Sequence, residues 1–215
     1  MIPHTFVLAT HNAHKVAEFQ HMLGTRYSGL SVVSYDGPEP TEDGTTFAEN
    51  ALIKARAAAT HTGLPALADD SGLCVDVMNG APGIFSARWA GVKRGDAANM
   101  TLLLEQLSDV PAPHRGAHYS CVIALVIPGA DGQPRTETVV EGQWRGALEH
   151  APRGSQGFGY DPIFVPEGES RTAAEMDPAE KNARSHRAIA LQKLFAALDE
   201  LDVLDDSTPS TSSLS

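Results

Sequence analysis

With 215 residues and 42% hydrophobic content, the chain has material for one sizeable core and no need of a second domain. Its formal net charge of −11 and pI near 5.2 argue against nonspecific binding to a nucleic-acid backbone or an anionic membrane, since both need a basic surface. An anionic small molecule would need a local basic pocket inside this acidic envelope.

The opening run "FVLAT" predicts a buried strand over residues 5–10. Val16, Phe19 and Leu23 fall at helical spacing and predict a helix over residues 13–23. A second strand is expected at 30–35, followed by an acidic, turn-rich loop at 36–46. In "TFAENALIKARAAATHTG", Thr46 and Glu49 form a capping box and Gly63 supplies the stop of a helix. Short strands at 65–69 and 73–78 come next, with "DDSG" read as a turn between them. A helix at 97–108 is expected to be capped by Asp96. Residues 118–127 and 135–144 read as a hairpin joined by "PGADGQP", which makes the sheet mixed. The last helix starts with Asp177 as cap and Pro178 at its first position. The domain is expected to cover 1–204, with a disordered Ser/Thr-rich tail at 205–215. Cys74 and Cys121 lack metal-type spacing and read as free thiols of a reduced cytoplasm. No apolar run approaches the roughly 18 residues of a membrane span, and no export signal is read at the N-terminus.

Several polar clusters carry chemistry. "THNAHK", residues 10–15, has strand–loop–helix context, which gathers backbone N–H groups and the positive end of a helix dipole around an anion. Lys15 adds a formal charge; the plain alternative is a capped helix with a solvated lysine. In "ALADDSGLCVDV" two adjacent carboxylates end an apolar run and suit Mg²⁺ and a water. Neighbours on an extended strand point oppositely, so only one of Asp69 and Asp70 is expected to face a given pocket. Glu42, in the acidic loop, is free to reach a metal, whereas Glu49 already has a capping role. "GSQGFGYDPIFVP" allows close backbone approach at Gly157 and Gly159, and offers Phe158 or Tyr160 for stacking on a flat ring. "EKNARSHRAIAL" collects Lys181, Arg184, His186 and Arg187 into a basic patch.

Five blocks in this order, "VLATHNAHK", "TFAENALIKA", "ADDSGLCVDVMNGAPGIFSARWAG", "GFGYDPIFVP" and "EKNARSHR", resemble the noncanonical purine nucleoside triphosphate pyrophosphatases, the HAM1-like inosine/xanthosine triphosphate family. The resemblance spans roughly residues 5 to 200. It implies a mixed α/β sheet with flanking helices, elongated and two-lobed within one domain, with a central cleft and a homodimeric assembly. It implies hydrolysis of ITP, dITP or XTP to the monophosphate and pyrophosphate, with Mg²⁺ as cofactor. Thr10, His11, Asn12, Ala13, His14 and Lys15 match the family's first substrate loop, and Ser71 a further substrate contact. Phe158, Gly159, Tyr160 and Asp161 match the second nucleotide loop, and Lys181, His186 and Arg187 the remaining substrate positions. Glu42 and Asp70 match the metal acids, and Asp70 also the proton acceptor. The family commonly has glycine where this chain has His11; glycine admits positive φ and close phosphate approach.

Three other readings stay open at this point. A pyrophosphatase for another modified or pyrimidine nucleotide would share the metal and phosphate parts. A non-enzymatic nucleotide sensor would bind without turnover, and a redox or acyl-transfer enzyme lacks a CxxC or a nucleophile elbow. A geometric expectation follows for the last block. Lys181 and His186 on one straight helix would diverge by roughly 140°, too far to meet one purine. A break at Ser185, capping a second helix, would bring them together.

Overall fold

The computed structural model describes residues 5–129 and 134–201. The expected tail, the domain boundary at 204/205 and most of the hairpin turn lie outside them. The first strand, β1 (Thr5–Leu8), is short, and helix α1 (Ala13–Arg26) follows it. Strand β2 (Ser31–Ser34) precedes helix α2 (Phe47–Thr62), and β3 (Ala66–Val75) runs ten residues. Helix α3 (Gly95–Gln106), strands β4 (Gly116–Pro128), β5 (Pro134–Leu148) and β6 (Phe164–Pro166), and helices α4 (Pro178–Arg184) and α5 (His186–Glu200) complete the order. The strands form one mixed sheet in the order β2-β1-β3-β4-β5-β6. β1 runs parallel to β2 and β3, and the remaining pairs are antiparallel.

Alternating side chains divide the core by sheet face. Phe6, Leu8, Leu67, Ile123 and Leu125 pack under α1 and α5, against Phe19, Leu23, Leu191 and Leu194. The opposite face, with Val7, Ala66, Ala68 and Ala124, receives α2 through Ala51, Ala55, Ala58 and Ala59, small residues that let helix and sheet approach closely. Farther along β3 and β4, Leu73, Val75, Tyr119 and Trp144 build a third cluster with Leu103 of α3 and Phe164 of β6. The sheet is thus mixed, six-stranded and flanked by helices within one domain, as the resemblance implied.

Local signals in the sequence fare unevenly. Thr46 accepts from the Glu49 N–H, and Gly63 closes α2 in the left-handed region at φ 69°. The Glu49 carboxylate reaches back to the Thr45 N–H and hydroxyl and also feels the Thr46 backbone. The two strands expected at 65–69 and 73–78 are one strand, followed by a 3-10 turn at Asp76–Met78. "DDSG" is not a turn because Asp70, Ser71 and Gly72 pair with Val122, Cys121 and Ser120 of β4, and that ladder overrides their turn preference. Asp96 does not cap α3; it lies inside the first turn and accepts from the Gly159 N–H at 2.9 Å. Asp177 does cap α4, accepting from the N–H groups of Ala179 and Glu180.

Candidate active site

The site begins in a mismatch of strand lengths. β1 pairs with β3 only at Ala66 and Leu67, and the Ala9 N–H makes the last rung, 2.8 Å from the Leu67 carbonyl. β3 continues, and that edge is next engaged at Leu73, whose N–H donates to Ser86 Oγ at 2.9 Å, and then at Cys74 and Val75 by the segment around Ala81 and Pro82. Between them, residues 69–71 lie along an open edge. The "THNAHK" loop turns away here: Thr10 Oγ1 accepts from the Asn12 N–H, and Asn12 Oδ1 accepts from the Lys15 N–H, which starts α1. Ala13 and His14 supply the first backbone positions of that helix.

Asp69 and Asp70 point to opposite sheet faces, as alternation requires. Asp69 is buried and takes the Lys15 ammonium on both oxygens, at 2.9 and 3.0 Å, with the Arg187 guanidinium 3.8 Å away. Burial alone would raise its pKa, but Lys15 and Arg187 outweigh it and hold the carboxyl below its ordinary value. Asp70 faces α2. Burial pushes its pKa up and the Glu42 charge adds to that, against Lys54 and an Asn50 hydrogen bond. Lys54 stands between the two acids, 3.2 Å from Glu42 and 3.7 Å from Asp70. Sequence reasoning missed Lys54. Its signal was its spacing, one helical turn beyond Asn50 and so on the same face of α2.

Beyond the open edge lies a second cavity, lined by Ser71, Phe158, Asp161, Lys181, His186 and Arg187 among others. The buried Asp161 organises it. It accepts from the Phe158 N–H at 2.8 Å and from the Tyr119 hydroxyl at 3.3 Å, and it pairs with the Lys181 ammonium. Gly157, at φ 76°, leaves no room for a side chain, which would collide with that carboxylate. Phe158 stands 69% exposed at the cavity mouth, free to cover a ring. Tyr160 is buried with its hydroxyl donated to the Ser86 carbonyl, so it serves as wall rather than stacking platform. The Gly159 N–H is taken by Asp96.

The chain breaks at Ser185, at φ −67° and ψ 163°, and the Ser185 hydroxyl caps α5 by accepting from the Ala188 N–H. Lys181 therefore reaches the cavity from α4, and His186 and Arg187 from the first turn of α5. Gly142 of β5 seats that turn: a Cβ there would collide with the His186 carbonyl. Burial, reinforced by the charges of Arg187 and Lys181, pushes the His186 pKa down to about 3, so its imidazole is neutral. His186 Nδ1 and Arg187 Nε are buried without a hydrogen-bond partner. Arg184 stays out of the cleft, paired with Glu169 and Glu180. His11 also turns aside. Its ring nitrogens lie 3.1 Å from Glu39 and from the Gly37 carbonyl, and it stacks parallel on Tyr35. Among the described residues Asn79 alone has positive φ without being glycine, so the first loop needs no glycine at position 11.

A model of the Ham1 family matches residues 6–197. The chain belongs to the Ham1 family. It is 58% identical to a dITP/XTP pyrophosphatase of Leifsonia xyli subsp. xyli, over 91% of this chain and 96% of that protein. A dITP/XTP pyrophosphatase of Streptomyces avermitilis is 55% identical over 91% of this chain and 97% of its own. Among solved structures, a HAM1 protein from Coxiella burnetii superposes with a TM-score of 0.83 at 46% identity, covering 93% of this chain and all of that one.

Within this Ham1-family cleft the donor set fits a hard divalent cation. Glu42 and Asp70 are oxygen ligands already drawn to one cation, the Lys54 ammonium between them. Two carboxylates of this kind are a set that Mg²⁺ can take, completing its shell with water and phosphate oxygens. The first cavity, lined by Thr10, Lys15, Glu42, Lys54 and Asp69, is suited to a polyphosphate, and the second, with Phe158 and Tyr119, to a flat ring.

Proposed function

We propose that this chain hydrolyses deaminated purine nucleoside triphosphates, ITP, dITP or XTP, to the nucleoside monophosphate and pyrophosphate. The observation that carries the reading is Asp70, a carboxylate held by Asn50 and beside Lys54, flanked in the chain by Asp69 of a cavity that mixes Lys15 and Lys54 with acids and by Ser71 of an aromatic one, with its basicity raised by burial. The dITP/XTP pyrophosphatase relatives at 55–58% identity support it.

In this reading the base enters beside Phe158 and the triphosphate extends past Asp69 toward Lys15. Asp70 accepts a proton from a water as its oxygen bonds to the α-phosphorus. The bond from that phosphorus to the bridging oxygen breaks, and pyrophosphate leaves with the electron pair. A bound Mg²⁺, held by Glu42 and Asp70, would supply charge neutralisation on the phosphates. Lys15 and Lys54 stabilise negative charge along the chain. The Lys181 and Arg187 donors favour a 6-oxo acceptor, and adenine would present its amino group to them. The resemblance to a homodimeric, cytoplasmic family extends the proposal to assembly and location. The buried free thiols of Cys74 and Cys121 are in keeping with a reduced compartment.

A panel of ITP, dITP, XTP, GTP, ATP and dUTP, with pyrophosphate release as readout and Mg²⁺ varied, tests this. Turnover concentrated on ITP, dITP and XTP is expected. Preference for dUTP would favour the pyrimidine reading, and binding without turnover a sensor.

A further inference from the structure

Asn50 has no role in the chemistry described so far, yet it is only 1% exposed and its side chain lies against the site. Its amide group joins two parts of the cleft. Nδ2 donates to Asp70 Oδ2 at 3.2 Å, and Oδ1 accepts from the Gly44 N–H at 3.0 Å. Gly44 is two residues from Glu42 in the acidic loop. Both contacts agree on one orientation of the amide. Flipped, it would set its NH₂ against an N–H and its oxygen against a carboxylate. The loop is pressed onto this group: a Cβ at Gly44 would come within 2.6 Å of Asn50 Oδ1.

The other contacts of Asp70 leave its orientation underdetermined. Its Oδ1 accepts from its neighbour's Ser71 N–H at 3.1 Å, and Lys54 is 3.7 Å away, beyond hydrogen-bonding distance. Lys54 sits nearer Glu42 and has a long, flexible stem. Asn50 is short, buried in helix α2 and uncharged. An amide is the one side chain of this size that offers an acceptor at one end and a permanent donor at the other. An aspartate here would bring a third carboxylate against Asp70.

We propose that Asn50 is a positioning residue that locks the Asp70 carboxylate and ties it to the loop carrying Glu42, so that one buried amide sets the spacing of both acids. This rests on the reading of Asp70 as the proton acceptor. Asn50 touches neither water nor nucleotide in that scheme and acts through the placement of Asp70 relative to the Glu42 loop.

The test combines Asn50→Ala and Asn50→Asp with Asp70→Asn in the full chain. Asn50→Asp keeps the acceptor for Gly44 and replaces the donor to Asp70 with a like charge, so it covers the case in which the alanine variant fails to fold. Each single variant is expected to lower kcat for ITP at least about tenfold with KM changed less than about threefold, because the nucleotide contacts are untouched. In the Asp70→Asn background the same substitutions should cost less than about twofold, since residues acting through one group are not additive. A merely structural role would give the same loss in both backgrounds. Mn²⁺ titration of the free chain by calorimetry gives a readout without turnover. Asn50→Ala should weaken binding about tenfold or more, as for other outer-shell partners of a metal ligand. Wild-type kcat in Asn50→Asp, or equal losses in both backgrounds, would overturn the proposal. A wild-type chain inactive on ITP, dITP and XTP would overturn the assigned function instead, and the Mn²⁺ comparison would then decide the Asn50 link by itself.

Discussion

Tyr119 lies nearly flat against His186, with ring centroids 4.9 Å apart and planes within 12°. Tyr119 covers one face of the imidazole, its Nδ1 is buried, and it is held neutral, with its pKa near 3 against about 6.5 for a free histidine. The unfolded chain binds a proton at this position below about pH 6.5, and the folded chain does not until near pH 3. Stability is therefore whole above about 6.5 and declines as pH falls. By pH 5 the loss attributable to this group reaches up to about 2 kcal/mol. Urea melts of wild type and His186→Gln at pH 7 and pH 5 measure it. The variant should lose less stability between the two, and parallel losses would contradict a buried neutral histidine.

Asp70→Asn is expected to lower turnover by about 10²–10⁴-fold, since an amide of the same shape takes no proton. It should melt at the same temperature as wild type or higher. Burial disfavours the charged carboxylate, and the neutral amide relieves that cost. ITP hydrolysis near the wild-type rate would remove Asp70 from the chemistry.

Lys54→Met leaves Glu42 and Asp70 facing each other without the ammonium between them. We expect kcat/KM for ITP to fall by at least about tenfold, as two like charges disfavour each other's ionisation. The Mg²⁺ concentration for half-maximal rate should change too. Unchanged kinetics at every Mg²⁺ concentration would show Lys54 to be only a surface partner of Glu42.

Ser185→Ala removes the cap of α5 at the turn that presents His186 and Arg187. Stability should fall by about 1 kcal/mol, with less loss for Ser185→Gly. KM should rise more than kcat falls, because in the proposed reading the displaced groups meet the base and not the reacting phosphorus. A variant with normal KM and a full loss of stability would separate the cap from binding.

The sequence made the helix break at Ser185 legible because periodicity is a hard constraint: two groups five residues apart cannot share a target on a straight helix. Opposite placement of Asp69 and Asp70 was legible for the same kind of reason. What stayed hidden depends on contacts across long separations. Nothing local joins Lys15 to Asp69, Asp96 to Gly159, or Asn50 to the acidic loop, and Tyr119 reads simply as one residue of a buried strand. "DDSG" misled because its composition favours a turn while ten rungs with β4 hold it extended. The capping motif at α2 identified the helix start, and the Glu49 carboxylate extends the box to Thr45 as well.

The truncated β1 has a consequence for the molecule's solubility. By stopping at Leu8 it leaves backbone of an interior strand open at residues 69–71, and an exposed strand edge is a template on which a foreign strand can pair. Here the opening is flanked by buried Asp69 with Lys15 on one face and by Asp70 with Lys54 on the other. An incoming strand would have to strip these charges of water and of each other. The groups that would bind the nucleotide therefore guard the gap against self-association, and replacing them together with apolar residues would turn a cleft into an adhesive edge.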